Sequence, residues 1–418
     1  MSAALPPASQ ISLPGVQAAL RKTTEFLALE LGRGGTQEPR WSPTEWHVAR
    51  AAASIHGASG LLAQQLNWRG PEDWILFLTQ QRAHIARRLT RIQELLRVLD
   101  LSARDHGIAL VALKGAALHA QGIYTAGERP MADIDLLVAE ADVERTTQML
   151  SELGFRVSLI TWKHRAFEPA EGTQAAAPFG ENWSSPIKIE LHSRIREILP
   201  LRPVDLSDLV FPRHPRPGLN AYASNTAMLL HVLLHAAGAT VLRSARLVHL
   251  NDVARLARRM APSDWDELFV QAASTADPTL WWAYPPLALA NRYYDCVPSG
   301  VLERCAAGCG SLLRNMYRRR ALSDVSLSYL WISAFPGIEW SRTLREMLNY
   351  AAQRIRPSRE TLAQRQELAQ WQPLVSGGEW AQTSQGRRIV RWLLARQPRQ
   401  ETLQPVRAAL APPQQVLS

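Results

Sequence analysis

The chain has 418 residues, a formal charge of +10, 46% hydrophobic and 20% charged residues. That length predicts either two domains or one core with helical additions, and the composition excludes wholesale disorder. No apolar run reaches bilayer-crossing length, no basic-then-apolar leader opens the chain, and three clustered cysteines (Cys296, Cys305, Cys309) exclude a disulfide framework. A reduced, cytoplasmic protein is the expectation. The basic excess is almost all arginine, since lysine occurs only at 22, 114, 163 and 188. Local clusters at Arg318-Arg319-Arg320 and from Arg387 to Arg399 leave RNA or another polyanion open as a partner. No RNA-binding motif accompanies them.

In chain order, residues 1–15 are Pro/Ala/Ser-rich and read as a flexible arm, followed by a helical region over 16–104. Ser42-Pro43-Thr44-Glu45 is a capping box with proline at the first helical position, and predicts a helix through Ile55. His56-Gly57 breaks that helix, and Ala58 to Leu66 resumes it. Apolar residues at three- and four-residue spacing (Ile75, Leu78, Ile85, Leu89, Ile92) predict a long amphipathic helix from Glu72 to Leu101. The pattern then alternates: strand 108–113, helix 115–121, strand 132–138, helix 142–153, strands 155–161 and 187–193. This is an α/β core over about 105–200. Within it, 169–186 is rich in turn residues and reads as a hairpin loop or flap. Helical patterns at 222–238, 245–260, 263–275 and 279–292 make a larger C-terminal helical domain, 201–375. A tail, 376–418, has a turn at Ser376-Gly377-Gly378, a short amphipathic helix (Ile389 to Leu394) and a Gln/Pro-rich end.

The chemistry concentrates in Leu110 to Val138. Asp133-Ile134-Asp135 precedes the apolar run Leu136-Leu137-Val138, so in a strand both carboxylates project to one face while Ile134 faces the core. Adjacent carboxylates resist joint ionisation unless a cation lies between them, and a hard divalent ion such as Mg²⁺ suits oxygen ligands. In the strand Ile187-Lys188-Ile189-Glu190-Leu191-His192, Lys188, Glu190 and His192 share a face, so Glu190 joins the two aspartates if the strands pair. Three carboxylates would hold two Mg²⁺ ions about 3.5–4 Å apart. Upstream, Lys114-Gly115 follows a short strand and opens a helix, a place suited to a phosphate.

These residues resemble the nucleotidyltransferase superfamily with a DNA polymerase β-type palm, and more narrowly the bacterial family of uncharacterised nucleotidyltransferases. The resemblance rests on Leu113-Lys114-Gly115, Tyr124, Arg129-Pro130-Met131, Asp133-Ile134-Asp135-Leu136-Leu137-Val138 and Glu190-Leu191-His192. It extends more loosely to His56-Gly57 and to His231 through Leu256. It implies an α+β fold: a palm-type core with a mixed sheet between an N-terminal helical layer and the C-terminal helical domain. It also implies transfer of a nucleoside monophosphate from an NTP, ATP foremost, to an unidentified small-molecule, peptide or RNA acceptor, with release of pyrophosphate. Asp133, Asp135 and Glu190 would be the metal ligands; Lys114, Gly115 and Arg129 would hold the triphosphate. One departure is Gly115-Ala116, where the broader superfamily has Gly-Gly or Gly-Ser.

Lys114 and Arg129 also admit a purely structural reading, as partners of Asp133 or Glu190. Tyr124 either stacks on a base or closes the core. Asp252, following Arg246 and His249, is a candidate base toward an acceptor hydroxyl or amine, or else a structural partner of Arg246. His231 and His235, one helical turn apart on an apolar helix, read as core residues. So do the tryptophans from Trp281 onward. The rival functions are a non-catalytic nucleotide or polyanion binder on the same fold, and a phosphotransferase using the same carboxylates.

Overall fold

The computed structural model describes residues 13–171, 179–273, 279–326, 335–357 and 400–410, with 387 and 390. Its first helices are α1 (Leu13–Arg33), α2 (Pro43–Ile55), α3 (Ser59–Gln65) and α4 (Glu72–Asp105). The capping box forms as expected: Glu45 N donates to Ser42 Oγ at 3.3 Å and Ser42 N to Glu45 Oε2 at 2.8 Å. Of the 34 residues of α4, the early apolar ones (Trp74, Phe77, Leu78) join a helical core. The later ones (Leu89, Ile92, Leu99) lie under the sheet. At about 1.5 Å per residue the helix is some 50 Å long, enough to join both cores.

The sheet contains β1 (Ala109–Ala112), β2 (Asp133–Val138), β3 (Phe155–Ile160), β4 (Arg165–Pro169), β5 (Lys188–His192) and, far along the chain, β8 (Gly218–Asn220). Between these last two lie β6 (Arg196–Ile198) and β7 (Pro203–Asp205), a separate hairpin, and α7 (Ser207–Val210). Strand order is β3-β4-β5-β2-β1-β8, with β2/β5 and β1/β8 parallel and the other pairs antiparallel. The sheet is therefore mixed, as expected. It is also wider than the sequence suggests: β4 and β8 carry no clear alternation, and β8 lies beyond residue 200. Helices α5 (Lys114–Ala120) and α6 (Val143–Glu152) connect the strands.

Alternation along β2 divides the protein. Ile134, Leu136 and Val138 pack with Leu89, Ile92, Met149 and Phe167 on one side of the sheet. Asp133 and Asp135 face the other way, toward α8 (Asn225–Val241) and α9 (Leu247–Ala257), with α10 (Pro262–Ala273) and α11 (Tyr284–Tyr294) packed behind these helices. α12 (Ser299–Ala307), α13 (Ser311–Tyr317), α14 (Leu344–Ile355) and α15 (Gln400–Leu410) complete the described helices. The N-terminal helices share their core with the C-terminal ones. α1 packs on α2 and α11, α15 packs on α2, and all contribute to one core. Trp281 and Trp282 are fully buried in it, as expected of packing residues. The expected helix over Ile389 to Leu394, the turn at 376–378 and most of the N-terminal arm lie outside the described residues. So does 172–178 of the expected flap.

One side chain fastens the two central strands where they begin. Arg88 of α4 donates to Met131 O and Ala132 O ahead of β2, and to Ser185 O and Pro186 O ahead of β5, at 2.6–3.1 Å. Lysine has the charge but not the planar fork of donors. Arg88→Lys is therefore expected to destabilise the fold by about 2–4 kcal/mol, measured by urea unfolding. An unchanged midpoint would show that this fastening contributes nothing.

Candidate active site

The parallel pairing of β2 with β5 sets Asp133 opposite Lys188 and Asp135 opposite Glu190. With a period of two, Asp133, Asp135 and Glu190 come to one face. They open into a cavity of about 270 Å³ whose wall also includes Lys114, Arg129, Arg246 and a fourth acid, Glu181.

The two aspartates have different surroundings. Burial alone would raise the Asp135 pKa. However, Lys114 Nζ at 2.7 Å and His192 Nε2 at 3.1 Å hold its carboxyl well below the ordinary range. Asp133 has no such partner: burial, then Asp135 and Glu190, push it up to about 6, against Lys114 and Arg246. Burial would likewise lower Lys114 and His192, but their carboxylate partners outweigh it and raise both. The site thus holds one firmly ionised aspartate beside one poised near neutrality.

Lys114 sits in the left-handed region at φ +46°, unusual for a side-chain-bearing residue. Two contacts hold it there. Its amide donates to the Tyr222 hydroxyl at 3.1 Å, which in turn pairs with His231 Nδ1 at 2.7 Å, and its ammonium pairs with Asp135. Of the two readings of this lysine, its observed partner is a carboxylate, Asp135. The neighbouring Gly115 is required by crowding: a Cβ there would run into the Arg129 guanidinium and the Met131 sulfur. Helix α5 spans only seven residues, so its dipole is small.

Arg129 binds Asp252 through two parallel hydrogen bonds, Nε to Oδ1 and Nη2 to Oδ2, both 2.8 Å. Tyr124 donates to the same Oδ1 at 2.6 Å and to Asn251 Oδ1 at 3.0 Å. Tyr124 therefore closes the core with its ring and orients Asp252 with its hydroxyl. The Arg246–Asp252 contact weighed from the sequence is not what forms: Asp252 pairs with Arg129. With both oxygens engaged, Asp252 braces the guanidinium beside Gly115. Arg246 has no ion pair among the described residues. Burial and Arg129 pull its pKa down against Glu181, Asp133 and Asp252. It begins α9 as the cap residue, and His249 Nδ1 accepts its amide at 3.3 Å.

His56-Gly57 links these parts. His56 Nδ1 accepts from Leu247 N at 3.3 Å, its carbonyl accepts from Val248 N at 3.1 Å, and its Nε2 lies 3.2 Å from Thr24 Oγ1. Gly57, at φ +61°, leaves room for Pro130 and Val248. The break after α2 thus fixes both the start of α9 and the loop carrying Arg129. His231 is buried as expected, whereas His235 is only partly buried and lines the carboxylate cavity. Burial, with Lys114 next, drives both pKa values down, so both are neutral. The cysteines, too, are passive: free, with burial pushing the Cys305 and Cys309 thiols up to about 12.

Sequence reasoning missed Glu181. It lies in the turn-rich segment between β4 and β5, where no periodicity marks it. Gln81 of α4 brings it in, accepting from Glu181 N at 2.7 Å and donating to Glu181 O at 3.4 Å. Burial raises its carboxyl pKa, against Arg88 and Arg246.

Two acids on one strand, a third on its parallel neighbour and a lysine turn beside them define a nucleotidyltransferase-type core. A family model described as an uncharacterised nucleotidyltransferase matches residues 42–277, more than half of the chain, and the chain belongs to that family. No curated protein and no solved structure matches it.

The raised Asp133 pKa carries a sign. A carboxyl that titrates higher in the folded state loses stability as pH climbs from about 4 to about 6, and above that range the loss is complete. Asp133→Asn should therefore raise the unfolding free energy of metal-free protein at pH 7.5 by about 1–3 kcal/mol. The gain should vanish near pH 4. Equal melting curves for variant and parent across this range would refute the assignment.

Proposed function

We propose that the protein transfers a nucleoside monophosphate from an NTP, ATP foremost, to an acceptor nucleophile, releasing pyrophosphate. The observation that carries this reading is the in-register face of Asp133, Asp135 and Glu190, enclosed with Lys114, Arg129 and Arg246 in one cavity. The donor set suits divalent cations: three hard oxygen ligands, one of which is raised to about 6 by burial and then by its neighbours' charge. Asp133, Asp135 and Glu190 would hold Mg²⁺, which neutralises phosphate charge and lowers the pKa of an acceptor oxygen.

The chain's own groups do the rest. Lys114 and Arg129 flank Gly115, where the triphosphate would lie, and Asp252 keeps the Arg129 fork in one orientation. Asp252 thereby acts through Arg129. Arg246, with no carboxylate ion pair among the described residues, is a further phosphate ligand suited to bidentate binding. Glu181 faces Arg246 across the cavity and would meet the acceptor. The work is positioning and charge neutralisation.

The test uses NTPs labelled separately on the α- and γ-phosphate, with Mg²⁺ and a cell extract as acceptor source. Transfer of α-label with pyrophosphate release, lost in Asp133→Ala/Asp135→Ala, is expected. Transfer of γ-label would make the protein a phosphotransferase, and NTP binding with no transfer would make it a binder. Arg246→Gln is expected to lower kcat/KM about 10- to 1000-fold, by analogy with loss of one charge-stabilising donor, with its melting temperature little changed. A wild-type kcat/KM in this variant would exclude Arg246 from the phosphate site.

A further inference from the structure

Beyond Glu190, strand β5 continues to His192, and the turn ahead of β4 ends in His164. Antiparallel pairing of β4 with β5 sets Ala166 opposite Glu190, so His164 comes up beside the same carboxylate. His164 Nδ1 and His192 Nε2 each lie 3.7 Å from Glu190 Oε2. The three ligand atoms are all within 4.8 Å of one another. The two imidazole rings stand 5.1 Å apart, tilted by 59°. His164 Nδ1 is buried and has no hydrogen-bond partner among the described residues, and an orphaned buried nitrogen is costly.

We propose that His164, Glu190 and His192 form a site for a borderline transition ion, Zn²⁺ or Co²⁺, in preference to Mg²⁺. Ligand atoms around one ion with bonds of about 2.0–2.1 Å stand about 3–3.5 Å apart. The observed spacings close to that with side-chain shifts of under about an ångström. Imidazole donors suit zinc, copper, iron and nickel, whereas Mg²⁺ keeps oxygen ligands and water. His192 Nε2 is hydrogen-bonded to Asp135 Oδ1 at 3.1 Å, a contact it gives up when it takes the ion. Two histidines and one carboxylate leave positions open, the pattern of a catalytic site and not of a closed structural one. The nucleotide side of the centre would then be served by Asp133 and Asp135, and the acceptor side by this softer ion. The inference rests on the nucleotidyl-transfer reading for that division of labour; ion binding itself does not need it.

The test titrates metal-free, full-length protein with Zn²⁺, Co²⁺, Mn²⁺ and Mg²⁺ by calorimetry, without nucleotide, and records the visible absorption of bound Co²⁺. One equivalent of Zn²⁺ or Co²⁺ should bind far more tightly than Mg²⁺, with the Co²⁺ spectrum of a site containing nitrogen ligands. His164→Gln should weaken Co²⁺ binding about tenfold or more and change that spectrum, while circular dichroism and the melting curve verify the fold. His192→Ala should do the same more strongly. Unaltered Co²⁺ affinity in folded His164→Gln, or tighter binding of Mg²⁺ than of Zn²⁺, would overturn the proposal. Tight Co²⁺ binding without transfer of any label would support this site and remove only the reaction. Label transfer without preference for the transition ions would do the reverse.

Discussion

The structure depends on the register of β2 against β5. Shifting the pairing by one residue would turn Asp133 and Asp135, or Glu190, into the apolar layer of Ile134, Ile189 and Leu191. Both strands are buried on one face by α4 and α6, so the apolar alternation alone fixes which face is polar. The Arg88 fork then fixes where each strand begins. The gathering of negative charge on the face toward α8 and α9 follows, and so does the need for the cations around it. Lys114 answers Asp135 and Arg129 answers Asp252, while Asp133 is left only partly compensated.

That leftover imbalance has company nearby. Lys114 is held at an uncommon backbone angle, Glu181 is brought in by Gln81 with a raised pKa, and His164 keeps an unsatisfied nitrogen. Each is a local cost in the free protein. Asp133, Lys114 and Glu181 line one cavity, and His164 stands beside Glu190 on its wall. Similar local costs also occur in the helical core, at Leu280 and Asp295 with positive φ and at the buried Trp74 indole nitrogen, so it is the chemistry of the group at the carboxylates, and not strain alone, that marks the site.

Much of this was legible in the residues. The Asp-x-Asp strand, the lysine-glycine turn, the Glu190 strand and the long α4 announce themselves by period and capping, and the mixed sheet between helical parts followed. What stayed hidden depended on tertiary contact. β8 is three residues long and β4 is interrupted by charge, so neither shows a period. Glu181 reaches the site only because Gln81, a hundred residues away, grips its backbone. The choice of Arg246 as a partner for Asp252 failed for a geometric reason. Six residues along a helix, at about 100° per residue, place the two on different faces, and Asp252 looks instead toward the loop before β2.

The sharing of one core by the two ends of the chain separates the unit of descent from the unit of folding. The family match spans residues 42–277, yet α1, α11 and α15 lie outside it. These helices cover α2, α8 and α9, and Tyr294 of α11 contacts Asn251 beside Asp252. A fragment cut at the limits of recognisable kinship would keep every proposed ligand and strip the support from the helix that braces Arg129. Similarity marks where the chemistry was inherited; the outer helices decide whether the inherited piece can stand.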